Sequence, residues 1–93
     1  ASKASSWTNA VANAKSYILV AVNFTYSSVK MWDSFVIPKE EISGTKRASQ
    51  GYYYNSSINV AVTLDFNSNS CGSTVYSNGN GTIVSSTCTF YYD

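Results

Sequence analysis

Histidine is missing from this chain of 93 residues, proline occurs once, cysteine twice, and Asp, Glu, Lys and Arg together number eleven. Without imidazole, and with at most two thiols, transition-metal sites, histidine-based triads and most general acid/base catalysis lose their usual side chains. The five carboxylates are Asp33, Glu40, Glu41, Asp65 and Asp93. A glycosidase needs two about 5 to 10 Å apart, which Asp33 and Asp65 reach only on neighbouring strands, while the adjacent Glu40 and Glu41 diverge. The stretch from Asp65 to Ser70 begins like a calcium loop, but Ser70 stands where glycine is required and Tyr76 where a bidentate glutamate is required. The expectation is a non-enzymatic chain with no catalytic residue, no cofactor and no metal. A net charge of +1, with only Lys46 and Arg47 adjacent, gives no electrostatic footprint for nucleic acid. The longest apolar run, Tyr17 to Val22, is far short of the roughly 20 residues of a spanning helix. Neither a transmembrane segment nor a signal peptide is expected.

In place of charge the chain carries Ser, Thr and Asn at 34 positions and Tyr at eight. Charged residues make up 12% against about 25% in ordinary soluble domains, a balance that suits a secreted, extracellular surface. Three tripeptides match the N-glycosylation acceptor, at Asn23, Asn55 and Asn80. The Lys46-Arg47 pair reads as a solvated loop. One domain, 1–93, is the only sensible count, because neither half of so short a chain could form a core.

Trp7, Ala10, Val11, Ala14 and Ile18 lie on one helical stripe. They predict a helix over about 6–16, capped by Ser5 or Ser6, with Trp7 as its core anchor. From Tyr17 to Tyr26 the period changes to two, with Ile18, Val20, Val22, Phe24 and Tyr26 on one face. Residues 29–37 alternate likewise, although Asp33 falls on the apolar side, and Pro38 ends the strand. Residues 39–50 are polar, contain Gly44 and read as a long loop. Tyr52 to Asn55 reads as a short aromatic strand, Asn59 to Phe66 as a strand with Val60, Val62, Leu64 and Phe66 inward, and residues 67–70 as a turn.

Cys71 and Cys88 flank Asn78-Gly79-Asn80-Gly81, a strong hairpin signal. If the cysteines face each other, the loop is Gly79-Asn80, Asn78 closes against Gly81, and Val75 opposes Val84. That register puts Cys71, Val75, Val84, Cys88, Phe90 and Tyr92 on the core face and Tyr76 and Tyr91 on the other. A disulfide closing 18 residues would contribute about 3 kcal/mol in the loop-entropy model and would belong to an oxidising compartment. A redox pair is disfavoured, because no Cys-x-x-Cys and no neighbouring cation is present.

The fold class is mainly β: a small antiparallel β-sandwich of five or six strands, with a short N-terminal helix and one disulfide-stapled C-terminal hairpin. A helix on a single antiparallel sheet is the alternative. In this layout of helix followed by sandwich the chain resembles small cytolysins and killer toxins, a resemblance of arrangement alone that implies a membrane-directed role and assigns no residue. Runs such as Tyr52-Tyr53-Tyr54 and Tyr91-Tyr92 must place rings on both faces of a strand. Tyr53, Tyr54, Tyr76 and Tyr91 are the candidate contact surface, offering rigid amphipathic area at small entropic cost. The leading functional expectation is a recognition or toxin-like module for a cell-surface glycan, membrane or protein. The alternatives are a self-assembling subunit of an extracellular filament or coat, hence a homo-oligomer, and a small enzyme inhibitor using the 39–50 loop.

Overall fold

The computed structural model describes residues 1–79 and 82–93. The elements run β1 (Ser2–Lys3), α1 (Trp7–Asn13), β2 (Tyr17–Tyr26), β3 (Val29–Pro38), a 3-10 turn (Lys39–Glu41), β4 (Lys46–Tyr53), β5 (Asn59–Phe66), β6 (Cys71–Ser77), β7 (Thr82–Val84) and β8 (Ser86–Tyr92). They form two four-stranded antiparallel sheets, ordered β1-β8-β2-β3 and β4-β5-β6-β7. The alternating strands bury one side chain in two. Ile18, Val20, Val22, Phe24, Phe35 and Ile37 from the first sheet meet Val60, Val62, Leu64, Phe66 and Val75 from the second, all nearly inaccessible to solvent. Full burial of such a side chain contributes about 1.5–3 kcal/mol, so this interior is the main source of stability.

Both ends of the interior are closed by an aromatic ring. Ser6 caps α1, its hydroxyl accepting from the Asn9 N–H, and the helix stripe turns Trp7 and Ala10 inward. Trp7 stacks at a tilt on Phe66 of one sheet (6.0 Å between ring centres) and Phe90 of the other (5.5 Å), and its indole N–H donates to the Asn67 carbonyl at 2.8 Å. At the far end Tyr26 meets Tyr54 edge-on at 5.0 Å, and its hydroxyl accepts from the buried Ser77 hydroxyl at 2.8 Å. The Ser77 oxygen in turn accepts from the Gly79 N–H at 3.1 Å. A Cβ on Gly79 would sit 2.7 Å from the Tyr26 hydroxyl and 3.0 Å from Ile58, so only glycine permits this closure.

The structure corrects four expectations. The polar 39–50 stretch is not one loop: Lys46–Tyr53 is a full edge strand, paired with β5 from Lys46↔Phe66 to Tyr53↔Asn59. Its alternation escaped notice because its outward positions before Tyr53 are polar or glycine and Gln50 stands inward among Ala48 and Tyr52. Lys46 and Arg47 consequently lie on a strand, in ion pairs with Glu41 (3.1 Å) and Asp65 (2.6 Å). Among the described residues eight strands stand where five or six were expected.

The hairpin carries the fourth correction. Its register near the tip has Val75 opposite Val84, and Cys71, Val84, Cys88, Phe90 and Tyr92 all pack against the core. The expected Gly79-Asn80 loop closed by Gly81 lies outside the described residues. After Val84, however, the chain leaves the second sheet and enters the first, so Cys71 pairs beside Phe66 while Cys88 pairs beside Val22. The two strands stay close through their side chains, Ser73 Oγ lying 2.7 Å from Ser86 Oγ, and Cys88 is near enough to raise the Cys71 pKa, yet a disulfide needs Cβ atoms about 3.8 Å apart. Both cysteines are free thiols, not at disulfide distance.

Candidate recognition surface

Strand register sorts the four candidate tyrosines into three places. Along β4, β5 and β6 the outward positions form rows: Tyr53 beside Asn59, Gly51 beside Ala61 beside Tyr76, Ser49 beside Thr63 beside Thr74, and Arg47 beside Asp65 beside Gly72. Tyr53 and Tyr76 thus share the outer face of the second sheet, 74% and 43% exposed. From the spacing of strands and residues they are roughly 12 Å apart at the backbone. The other two leave that surface. Tyr54 is half-buried against Tyr26 and the core, and Tyr91 pairs with Leu19 on the outer face of the opposite sheet.

Between Tyr53 and Tyr76 the floor is nearly bare. Gly51 and Ala61 face each other across β4 and β5, and a Cβ on Gly51 would meet nothing nearer than the Val60 carbonyl at 3.8 Å. On the Tyr53 side of this floor lies a cleft of about 290 Å³ lined by Gly51, Tyr52, Tyr53, Asn59, Val60 and Ala61, close to the lower end of small-ligand pockets; Tyr76 stands beside Ala61 outside its lining. In the next row of the same face the Ser49 and Thr63 hydroxyls lie 3.3 Å apart. Among the described residues the face carries one cation and one anion, and they neutralise each other: Arg47 Nε donates to Asp65 Oδ1 at 2.6 Å and its NH2 group to Oδ2 at 3.3 Å. This hydrogen-bonded pairing holds the Asp65 carboxyl below its ordinary range and raises the Arg47 guanidinium. The face is uncharged in effect, with two aromatic rings, an amide and several hydroxyls.

The carboxylates are dispersed. Asp33 lies on β3 and Asp65 on β5, in different sheets, so the pairing required of neighbouring strands does not arise. Asp93 receives the Lys15 and Ser16 backbone N–H groups (2.9 and 3.0 Å) and the Ser16 hydroxyl, bonds that hold its carboxyl well below the usual range. Among the described residues no three His, Cys, Asp or Glu side chains are grouped to hold a metal. No helix among those residues is long and apolar enough to cross a membrane.

Asp33 has a different use. Its Oδ1 accepts from the Ser34 backbone N–H at 2.9 Å, while Gln50 Nε2 donates to the Ser34 carbonyl at 2.8 Å. Both main-chain groups at the middle of edge strand β3 are therefore occupied by the chain itself, and a charged residue turned inward on an edge strand opposes pairing with another chain. The same carboxylate and, first, burial raise the pKa of Tyr52, whose hydroxyl is enclosed without a partner.

Of the acceptor asparagines, Asn23 sits on the outer face of the first sheet between Trp32 and Thr87. Asn55 is exposed, its side-chain oxygen accepting from the Ser57 and Ile58 N–H groups at 3.0 Å each. Asn80 lies outside the described residues. Sequence reasoning missed Trp32 and Val36, which are 68% and 64% exposed on the first sheet; their even-numbered spacing opposite Phe35 and Ile37 was the available signal. A two-sheet antiparallel sandwich with an uncharged tyrosine face is the class of protein these observations define. No family model, no curated protein and no solved structure matches the chain.

Proposed function

We propose that the chain is a secreted, non-enzymatic recognition module that holds a neutral glycan on the outer face of its second sheet, between Tyr53 and Tyr76. The observation that carries this reading is the bare Gly51–Ala61 floor flanked by those two exposed rings. A sugar ring has one apolar face of C–H groups and a rim of hydroxyls. The C–H face is attracted to the negative face of an aromatic ring, and the rim matches the amide of Asn59 and the hydroxyls of Ser49, Thr63 and Thr74. Tyrosine suits the role because its contact area is rigid and needs little ordering. The ion-paired state of Arg47 and Asp65 leaves no net charge to select an acidic ligand. Low overall charge and abundant Ser, Thr and Asn support an extracellular setting.

A glycan array read with the wild-type chain, Tyr53→Ser and Tyr76→Ser tests the proposal. The expected result is a set of neutral glycans whose binding each substitution weakens about tenfold or more, equivalent to about 1.4 kcal/mol, with melting temperature unchanged. Absence of any neutral glycan, or binding indifferent to both substitutions, overturns it. The filament reading draws no support from the edge of β3, where Ser34 is already occupied. The inhibitor reading draws little from the 39–50 segment, most of which is strand β4 and a 3-10 turn.

A further inference from the structure

The opposite face of the sandwich has other chemistry. On the first sheet Val36, Leu19 and Tyr91 form one outward row across β3, β2 and β8, continued on β1 by Lys3. The next outward rows are Ser34 with Ala21 and Thr89, then Trp32 with Asn23 and Thr87, then Lys30 with Thr25. Trp32 and Val36 are the most exposed apolar side chains on this sheet. Within the four strands Asp33 is the one acidic residue, and it belongs to the inward set; Asp93 follows β8 directly, its carboxylate held by the Lys15 and Ser16 N–H groups where β2 begins. Lys3 and Lys30 stand at opposite corners, and neither has an ion-pair partner among the described residues. At the Lys30 corner, where β8 departs from β7, a notch of about 550 Å³ is bounded by Asn23, Thr25, Lys30, Ser85, Ser86 and Thr87, a cation among hydroxyls.

We infer that this face docks on the surface of an anionic phospholipid bilayer. Charge complementarity selects the occupant: two lysines without an ion-pair partner among the described residues, against a single carboxylate at the rim whose oxygens are engaged by backbone N–H groups, around an exposed indole and aliphatic side chains, match a layer of acidic headgroups above hydrocarbon. Indole and phenol rings settle at such a boundary because one end is apolar and the other hydrogen-bonds. Each lysine near an acidic leaflet contributes an attraction that salt screens within a Debye length. Trp32 enters the headgroup layer, Val36, Leu19 and Tyr91 cover acyl chains, and Lys3 and Lys30 meet phosphates. The sheet lies flat, so no strand crosses the membrane, and the tyrosine face of the other sheet remains free in water. Asn23 stands in the Trp32 row, so a glycan attached there would hold this face off the bilayer.

The test is co-sedimentation of the full chain with vesicles of phosphatidylcholine alone and of phosphatidylcholine with phosphatidylserine. Binding is expected only to the mixed vesicles and should fall as salt rises. Trp32→Ser should weaken it at least tenfold. Lys3→Gln with Lys30→Gln should weaken it about thirtyfold, the equivalent of about 1 kcal/mol per lysine. Tyr53→Ser with Tyr76→Ser should leave it unchanged, which separates this inference from the glycan reading. All substituted side chains are exposed, and an unchanged thermal melt confirms that each variant is folded. Equal binding to both vesicles, binding to neither, or a concentration-dependent dimer abolished by Trp32→Ser overturns the inference.

Discussion

Replacing Trp7 with alanine should remove a large part of the stability of this domain. The side chain is 5% exposed and touches Phe66 of one sheet and Phe90 of the other, so its loss opens a cavity bounded by both sheets. Truncations of buried aromatics cost about 3–5 kcal/mol. A chain of 93 residues has roughly 5–14 kcal/mol in total, so about a fifth or more of it would go. At about 4–8 °C per kcal/mol for a domain of this size, the melting temperature should fall by at least roughly 10 °C. Trp7→Phe retains most of the apolar contact and loses the N–H bond to Asn67, a net bond of about 1 kcal/mol, so its loss should be much smaller than alanine's. Urea titration followed by far-ultraviolet circular dichroism measures both variants, with the slope showing whether the transition remains two-state. A loss below about 1 kcal/mol for Trp7→Ala, at unchanged slope, would refute the assignment of α1 as the plug of the interior.

Gly79→Ala should cost about 1–3 kcal/mol by overpacking, because Ser77 fixes the Tyr26 hydroxyl only 2.7 Å from the added Cβ; the same urea titration reads it. The Cys71 thiol is pushed up to about 12 by burial, then by Cys88 and Asp65. At pH 8 it should therefore alkylate slowly in the folded chain and rapidly in urea. Because the unfolded thiol loses its proton near pH 8.5 and the folded one only near 12, its contribution is complete below pH 8.5 and declines as pH rises towards 12. Cys71→Ala should flatten that part of the alkaline melting curve. Asp33→Val with Gln50→Val frees both main-chain groups of Ser34 on the β3 edge, and light scattering across a concentration series should show stronger self-association than that of the wild-type chain.

The parts of the fold legible in the sequence were those with one wet face and one dry one. Tyr17–Tyr26 and Asn59–Phe66 alternate without interruption, and the structure gives them the same bounds. Strand β4 was hidden because it is an edge strand whose outward residues include Arg47, Ser49 and Gly51, and because an inward Gln50 breaks the pattern. The disulfide failed on distance: Ser73 meets Ser86 in the expected register, but Cys71 and Cys88 stop short of bonding. Val75 does oppose Val84, but alternation cannot reveal that a strand changes sheets at Ser85. For the surface, the sequence grouped Tyr53 with Tyr54, although period two sets neighbours on opposite faces, and only the layer assignment shows that Tyr91 faces away from Tyr76. Gly51 and Ala61 become a floor only when β4 is known to lie beside β5.

The most direct test of the central claim is a titration of isotopically labelled chain with a neutral oligosaccharide taken from the array, followed by backbone amide NMR. The account predicts shifts concentrated at Gly51, Tyr53, Asn59, Ala61 and Tyr76, with Trp32 and Val36 silent. Shifts centred on Trp32 and Val36, or none at saturating sugar, would contradict it.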